Sequence, residues 1–216
     1  MDPIPNIVIR KYEPKDRAAV RRISYATAFL GKAYDFVGDA EILSDGLMDY
    51  FTEYEPGSLF VAADGEKVAG YLTGARNARV MNKILFNKIY PRIFWKALSK
   101  GFFLKRKVLL FLWHSFRSIV RGEFRMPDFT YDYPATFHIN LDEGYRGQRI
   151  GQQLIDRYVE YLKENNIKGV YVSTFSEKAK AFFVRNGFRF LFSRPRGYLR
   201  YRLGTDTRVH ILGREL

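Results

Sequence analysis

One stretch constrains the fold of this chain more than any other. An apolar run, Ala135 to Leu141, leads into the turn Asp142-Glu143-Gly144-Tyr145-Arg146-Gly147, and the turn leads into a helical pattern that starts near Gln148. In that pattern Ile150, Leu154, Ile155, Tyr158, Tyr161 and Leu162 form one apolar stripe, with Gln152, Asp156, Arg157, Glu160 and Lys163 opposite. The order is strand, glycine-bearing turn, helix N-terminus. Backbone N–H groups at such a turn have no partner within the helix, and the helix dipole favours negative charge there. That combination makes a site for a phosphate-rich ligand. Gly147 and Gly151 carry no Cβ, so a ligand can approach the backbone closely at both.

The flanking sequence reads as alternating strands and helices. Asn6 to Tyr12 reads as a strand, and a helix opens at Pro14-Lys15-Asp16. Gly31 to Asp39 reads as a loop and Ala40 to Tyr54 as a second helix. Ser58 to Ala63 and Lys67 to Gly74 read as strands joined by a tight turn at Asp64-Gly65-Glu66. From Arg76 to Arg125 the apolar residues fall at helical spacing, with Gly101 a break between two helices. After the central helix, which Asn165-Asn166 ends, come a strand at Gly169 to Thr174 and a short helix at Ser176 to Asn186. Gly187 suits the αL cap of that helix. Phe188 to Ser193 and Tyr198 to Leu203 are expected to form a closing pair of strands.

The turn resembles the fingerprint of the GNAT acyl-CoA N-acyltransferases, Q/R-x-x-G-x-G/A after a strand ending V-x-P-x-Y. Here Leu141-Asp142-Glu143-Gly144-Tyr145 is followed by Arg146-x-x-Arg149-x-Gly151. Arg149 stands where the family has glycine, a departure that is tolerated if its φ stays negative, and its guanidinium could itself meet a phosphate. The resemblance covers the chain except its middle segment. It implies an α/β fold (α+β by some schemes) with a central, mixed, mostly antiparallel sheet flanked by helices. It also implies one domain over residues 1–216, with residues 76–125 a helical insertion between the third and fourth strands. Pro134 to Leu141 is in addition similar to the acetyltransferase-like domains attached to O-GlcNAc hydrolases.

What the resemblance implies chemically is direct transfer of an acetyl group from acetyl-CoA to a small-molecule or peptide amine. Leu141, Asp142 and Glu143 would pair with the pantetheine arm, the Leu141 amide serving as oxyanion donor. Arg146, Gly147, Gln148, Arg149, Ile150, Gly151 and Gln152 would hold the phosphates. Thr174 and Phe183 would complete the cofactor site. The family's acid is a tyrosine in a pattern ending A-x-x-F-Y-x-x-x-G-F, and here Ala179-Lys180-Ala181-Phe182-Phe183-Val184-Arg185-Asn186-Gly187-Phe188 puts Phe183 in its place. A phenyl ring can pack against a thioester but donates no proton, so solvent must protonate the leaving thiolate. The candidate base is His138, in the strand beside the cofactor site, with an unperturbed pKa of about 6.5. Asp132 and Tyr133, with Asp128 and Tyr131, precede that strand as a second candidate, an acidic and aromatic cluster for an ammonium acceptor.

Composition narrows the alternatives. The chain has no cysteine, which excludes disulfides, thiolate metal sites and a cysteine nucleophile, and favours a reducing compartment, here the cytoplasm. Acyl transfer of this kind needs no metal. The start lacks the pattern of a signal peptide, and the longest apolar run, Val108 to Trp113, is far too short to span a bilayer. Of the net charge of +13, the segment Arg76 to Arg125 holds +12, from 13 Lys and Arg against one acid, Glu123. Its helices are expected to form a lid on the acceptor site, with Lys and Arg outward and at least one of Phe94, Trp95, Phe102 and Trp113 buried. Two other functions stay open at this point. One is a non-catalytic acyl-CoA-binding module. The other is contact with an anionic surface, membrane or nucleic acid, through the basic segment.

Overall fold

The computed structural model describes residues 7–31 and 33–216; Asn6, the expected first residue of the first strand, lies outside them. The strands are β1 Ile7–Lys11, β2 Leu59–Asp64, β3 Lys67–Ala75, β4 Ala135–Leu141, β5 Gly169–Thr174, β6 Arg189–Arg196 and β7 Thr207–Glu215. The helices are α1 Arg17–Gly31, α2 Ala33–Phe36, α3 Ala40–Asp49, α4 Ala78–Ile84, α5 Tyr90–Ser99, α6 Arg106–Val120, α7 Ile150–Glu164, α8 Glu177–Arg185 and α9 Arg200–Leu203.

The strands form one seven-stranded sheet in the order β1-β2-β3-β4-β5-β7-β6, antiparallel except for the β4–β5 pair. That parallel pair is a consequence of the central helix: α7 carries the chain back across the sheet before β5 begins. All six residues of the predicted α7 stripe are buried. With α8 they cover one face of the sheet, packing on Phe60, Leu72, Phe137, Val170 and Val172. The fit is close enough that a Cβ on Gly74 would lie 2.1 Å from the Tyr158 ring. α1, α3 and the start of the insertion cover the other face, around Leu59, Val61 and Tyr71. A third cluster joins α2, α5 and α6 to the segment between β6 and β7, through Phe36, Phe102, Val108 and Leu199.

Three expectations need correction. The segment Tyr198 to Leu203 is not a strand. It forms a 3-10 turn and α9, and the closing strand is β7, which starts only at Thr207 and pairs with both β5 and β6. Its apolar residues serve the third cluster, where Leu199 is fully buried, so tertiary packing overrides an alternating pattern. The loop expected over Gly31 to Asp39 contains the short helix α2. The cations of the insertion do not all face outward. Lys96 reaches Glu41 and Asp45 at 2.6 Å each, Arg92 reaches Asp49 at 2.5 Å, and Lys100 pairs with Glu41, so α5 turns its charge toward the acids of α3.

Candidate functional site

The site forms where β4 and β5 part. Among the described residues they pair only at Ala135↔Val170 and Thr136↔Tyr171, and beyond Thr136 the β5 side of β4 has no strand partner. On the other side β4 continues against β3 as far as Gly70↔Leu141, and Asp142 N–H donates to the Ala69 carbonyl at 2.8 Å. Alternation along an antiparallel ladder then turns the N–H and C=O of Leu141 and Ile139 away from β3 and into the gap. The gap therefore opens onto a free strand edge.

At the end of that edge lies the turn. The N–H groups of Gly147, Gln148, Arg149, Ile150 and Gly151 have no hydrogen-bond acceptor among the described residues. Gly147 adopts φ 84°, with nothing within 4 Å of where a Cβ would stand. The arrangement is a cradle of free donors at the start of a 15-residue helix, with the dipole of α7 behind it. The exposed side chains of Arg146 and Arg149 make no ion pair among the described residues. These groups fit a diphosphate and an extended arm leading from it.

Two details of the turn differ from expectation. Arg149 adopts φ 59°, the left-handed region, not a negative φ. A side chain there costs about 1 kcal/mol relative to glycine. We expect Arg149→Gly to raise stability by about 1 kcal/mol in denaturant titration while weakening acetyl-CoA binding severalfold, because a guanidinium is lost from the anion site. Gly151 is buried, and a Cβ there would stand 3.1 Å from Phe182 Cζ, so this glycine also serves the packing of α7 on α8.

The remaining cofactor candidates divide. Asp142 caps Glu143 N–H at 2.8 Å and pairs with Arg22 at 2.8 Å, which ties α1 to the turn and holds the Asp142 carboxyl below its ordinary range. Glu143, Gln148 and Gln152 are exposed beside the cradle. Thr174 ends β5, and its hydroxyl accepts from Ser176 N–H at 3.1 Å. Phe183 is not on the surface of the gap. It is 3% exposed and packs against Phe137 and Phe188, so its ring is a core group and is not placed to pack against a thioester. We expect Phe183→Tyr to destabilise the fold by roughly 1–3 kcal/mol, read as a lowered Tm, because the new hydroxyl would be buried without a partner.

His138 lies on the other face of β4, which is shared with α1, α3 and the insertion. It is exposed, although it sits in mid-sheet, so it forms the floor of a cleft. The surrounding protein displaces water and holds its imidazole below the ordinary pKa. Phe51 stands edge-on at 6.3 Å, and Thr73, directly across in the β3 register, has a fully buried hydroxyl with no hydrogen-bond partner among the described residues. Two residues on, Asn140 donates to Tyr71 Oη at 2.8 Å. The tyrosine, asparagine and threonine were not legible in the sequence, because only the strand register brings them to one face.

Asp132 and Tyr133 are not part of this cleft. They precede β4 at the end away from the turn, six and five residues before His138. Tyr133 is buried, with its ring 2.7 Å from where a Cβ on Gly213 would lie and 3.0 Å from one on Gly169, so it packs over the paired strands β5 and β7. Asp132 is exposed. Nearby Asp128 bonds to Thr130 and Arg79, which hold its carboxyl at about 2, far too acidic to take a proton from an ammonium.

Comparison with known families supports the turn independently. The sequence profile described as Acetyltransferase (GNAT) family matches residues 110–188, from α6 through the turn to the end of α8. Over that stretch the chain is similar to the GNAT acetyltransferase family. Among solved structures it is similar to SsHAT, at 22% identity and TM-score 0.70, over 98% of both chains. It is similar to YncA from Salmonella typhimurium, described as a structure with its cofactor acetyl-CoA, at 13% identity and TM-score 0.59, over 97% of this chain and 94% of that one. It is similar to a polyamine N-acetyltransferase of Drosophila melanogaster, at 13% identity and TM-score 0.58, over 98% and 100%. No curated protein matches the sequence. The likeness of Pro134 to Leu141 to hydrolase-attached domains finds no support among these neighbours. Within the GNAT frame the parted strands and the free N–H cradle fall in the stretch that the profile covers. Among the described residues no three His, Asp or Glu side chains converge as a metal site.

Proposed function

We propose that this chain is an N-acetyltransferase that moves the acetyl group of acetyl-CoA to a small-molecule or peptide amine. The observation that carries the reading is the junction of three features. They are the free donors at Gly147 to Gly151, the unpaired edge of β4 at Ile139 and Leu141, and an open histidine, His138, on the same strand. We further take residues 1–216 as one acyltransferase domain, with 76–125 a helical insertion in it.

In this reading Arg146, Arg149 and the free N–H groups neutralise the diphosphate of the cosubstrate, and the polar edge of β4 takes its extended arm as an added strand. Acetyl-CoA supplies an activated thioester. The N–H of Leu141 is the donor available to the acetyl oxygen, where charge develops as the amine attacks. The amine arrives largely as ammonium, so it must lose one proton before its nitrogen bonds to the acetyl carbon, and it loses a second to solvent as the carbon–sulfur bond breaks and the amide forms. His138, held neutral by its surroundings, accepts the first proton directly or through water. The buried hydroxyl of Thr73 is the neighbouring group suited to orient it. With Phe183 apolar and buried, the leaving thiolate takes its proton from solvent.

The test is thiol release from acetyl-CoA in the presence of a panel of amines, alongside calorimetric binding of acetyl-CoA. Binding with turnover of at least one amine supports the reading. Binding without turnover on any amine would instead favour the non-catalytic module, to which the loss of the tyrosine acid already points.

A further inference from the structure

The insertion presents an apolar outer face with cations at its rim. In α6, Leu109, Leu112, Trp113, Phe116 and Val120 follow one another at helical spacing, and each is more than 40% exposed. The side of α6 that faces the domain is formed by Val108, Phe111 and Ser118. Thus the helix is apolar on two sides. In α5, Phe94, Trp95 and Leu98 also point outward, and Leu104, in the connection between the helices, is 85% exposed. The two faces are continuous: Phe94 meets Phe103 at 5.5 Å, and Phe103 and Leu112 line one apolar groove of about 280 Å³. A monomeric domain in water seldom leaves so large an apolar area uncovered.

The charge around this face is also unpaired. Arg106, Lys107, Arg117, Arg121 and Arg125 have no acidic partner among the described residues, whereas the cations of α5 are neutralised by α3. α6 contains no Asp or Glu.

We propose that the outer face of α5 and α6 docks in the interface of a bilayer that carries anionic lipids. Its apolar side chains would lie among the upper acyl chains, its two tryptophans at headgroup depth, and its arginines against lipid phosphates. A second copy of the chain is a poorer occupant, because face-to-face pairing brings two sets of unpaired cations together. Nucleic acid is poorer as well, since it needs cations across the contact and offers nothing to Leu109, Leu112 and Val120. No helix among the described residues is long and apolar enough to cross a membrane, so the contact is peripheral.

The chain has two tryptophans, Trp95 and Trp113, and both lie on this face, so tryptophan emission reads the contact directly. The full chain is titrated with vesicles of phosphatidylcholine alone or mixed with phosphatidylglycerol, with and without bromine on the acyl chains. Only the mixed vesicles should shift emission to the blue, brominated chains should quench it, and added salt should weaken the binding. Each cation near an anionic leaflet strengthens partition roughly fivefold, so the double variant R106E/R117E should lose more than about 25-fold. W113S/F116S should lose the partition while keeping helical circular dichroism and acetyl-CoA affinity, which separates this inference from the proposed activity. Three results would overturn it. One is the absence of any shift with anionic vesicles. Another is a shift produced by protein concentration alone, with a doubled molar mass. The third is salt-sensitive binding to duplex DNA without quenching by brominated lipid.

Discussion

Gly151→Asp should weaken acetyl-CoA binding by more than about a hundredfold and leave the chain folded. Gly151 is in the first turn of α7, and its backbone N–H is one of the five that have no acceptor among the described residues. A carboxylate there would compete for those donors and stand close to the bound diphosphate. Two unit charges about 5 Å apart repel by about 3 kcal/mol at an effective dielectric near 20, which is more than a hundredfold in Kd. An acid in the first helical turn is favourable, and the tightest contact at this buried position is the far end of the Phe182 ring, at 3.1 Å, so circular dichroism checks that the aspartate form stays folded. Gly151→Ala isolates that contact and should cost less than about tenfold. Calorimetry on both variants decides the matter: equal affinities for the aspartate and alanine forms would mean that the phosphates are held elsewhere.

His138→Gln should lower kcat by about 10²–10⁴ with KM for acetyl-CoA little changed, the range for loss of a positioned base. The pH profile makes the test specific. A base works in its neutral form, and the surroundings of His138 hold its pKa below the ordinary value. Activity of the native chain should therefore rise with pH through a midpoint below about 6.5 and be flat above it. As pH falls through that midpoint the imidazole charges and the rate is lost. The glutamine variant should lack that acidic limb. If the variant kept the same limb at normal rate, His138 would be a wall of the cleft and the proton would leave by another route.

The strand–turn–helix unit was legible residue by residue because its signals are local. The α7 stripe repeats at the helical period, β4 ends where the apolar run ends, and a glycine-bearing turn before a helix leaves donors free wherever the helix packs. The family resemblance rested on the same stretch, and the matched profile covers it. Gly147 was read as leaving room at the backbone, and nothing stands within 4 Å of where its Cβ would be, whereas its φ of 84° came only with the structure.

Other features depended on what stands opposite in space. Phe183 and Tyr133 are aromatic residues near the motif in sequence, but three-dimensional packing places both in the core. Arg149 adopts the left-handed conformation because the turn around it demands it, at a cost that no local preference for arginine would predict. The insertion shows the limit most clearly. Its periodicity pointed to helices, and its composition showed it to be basic and aromatic. Periodicity alone could not say which of two apolar sides of α6 would be covered, or that the cations of α5 would turn inward to the acids of α3. Likewise His138 was a candidate from its strand alone, and the register with β3 decided its face and its neighbours Thr73 and Phe51. Local signals determine which elements form, through backbone geometry and the period of burial. Which side of an element is buried depends on the energy of contacts between residues far apart in the chain, and that is set only when the sheet assembles.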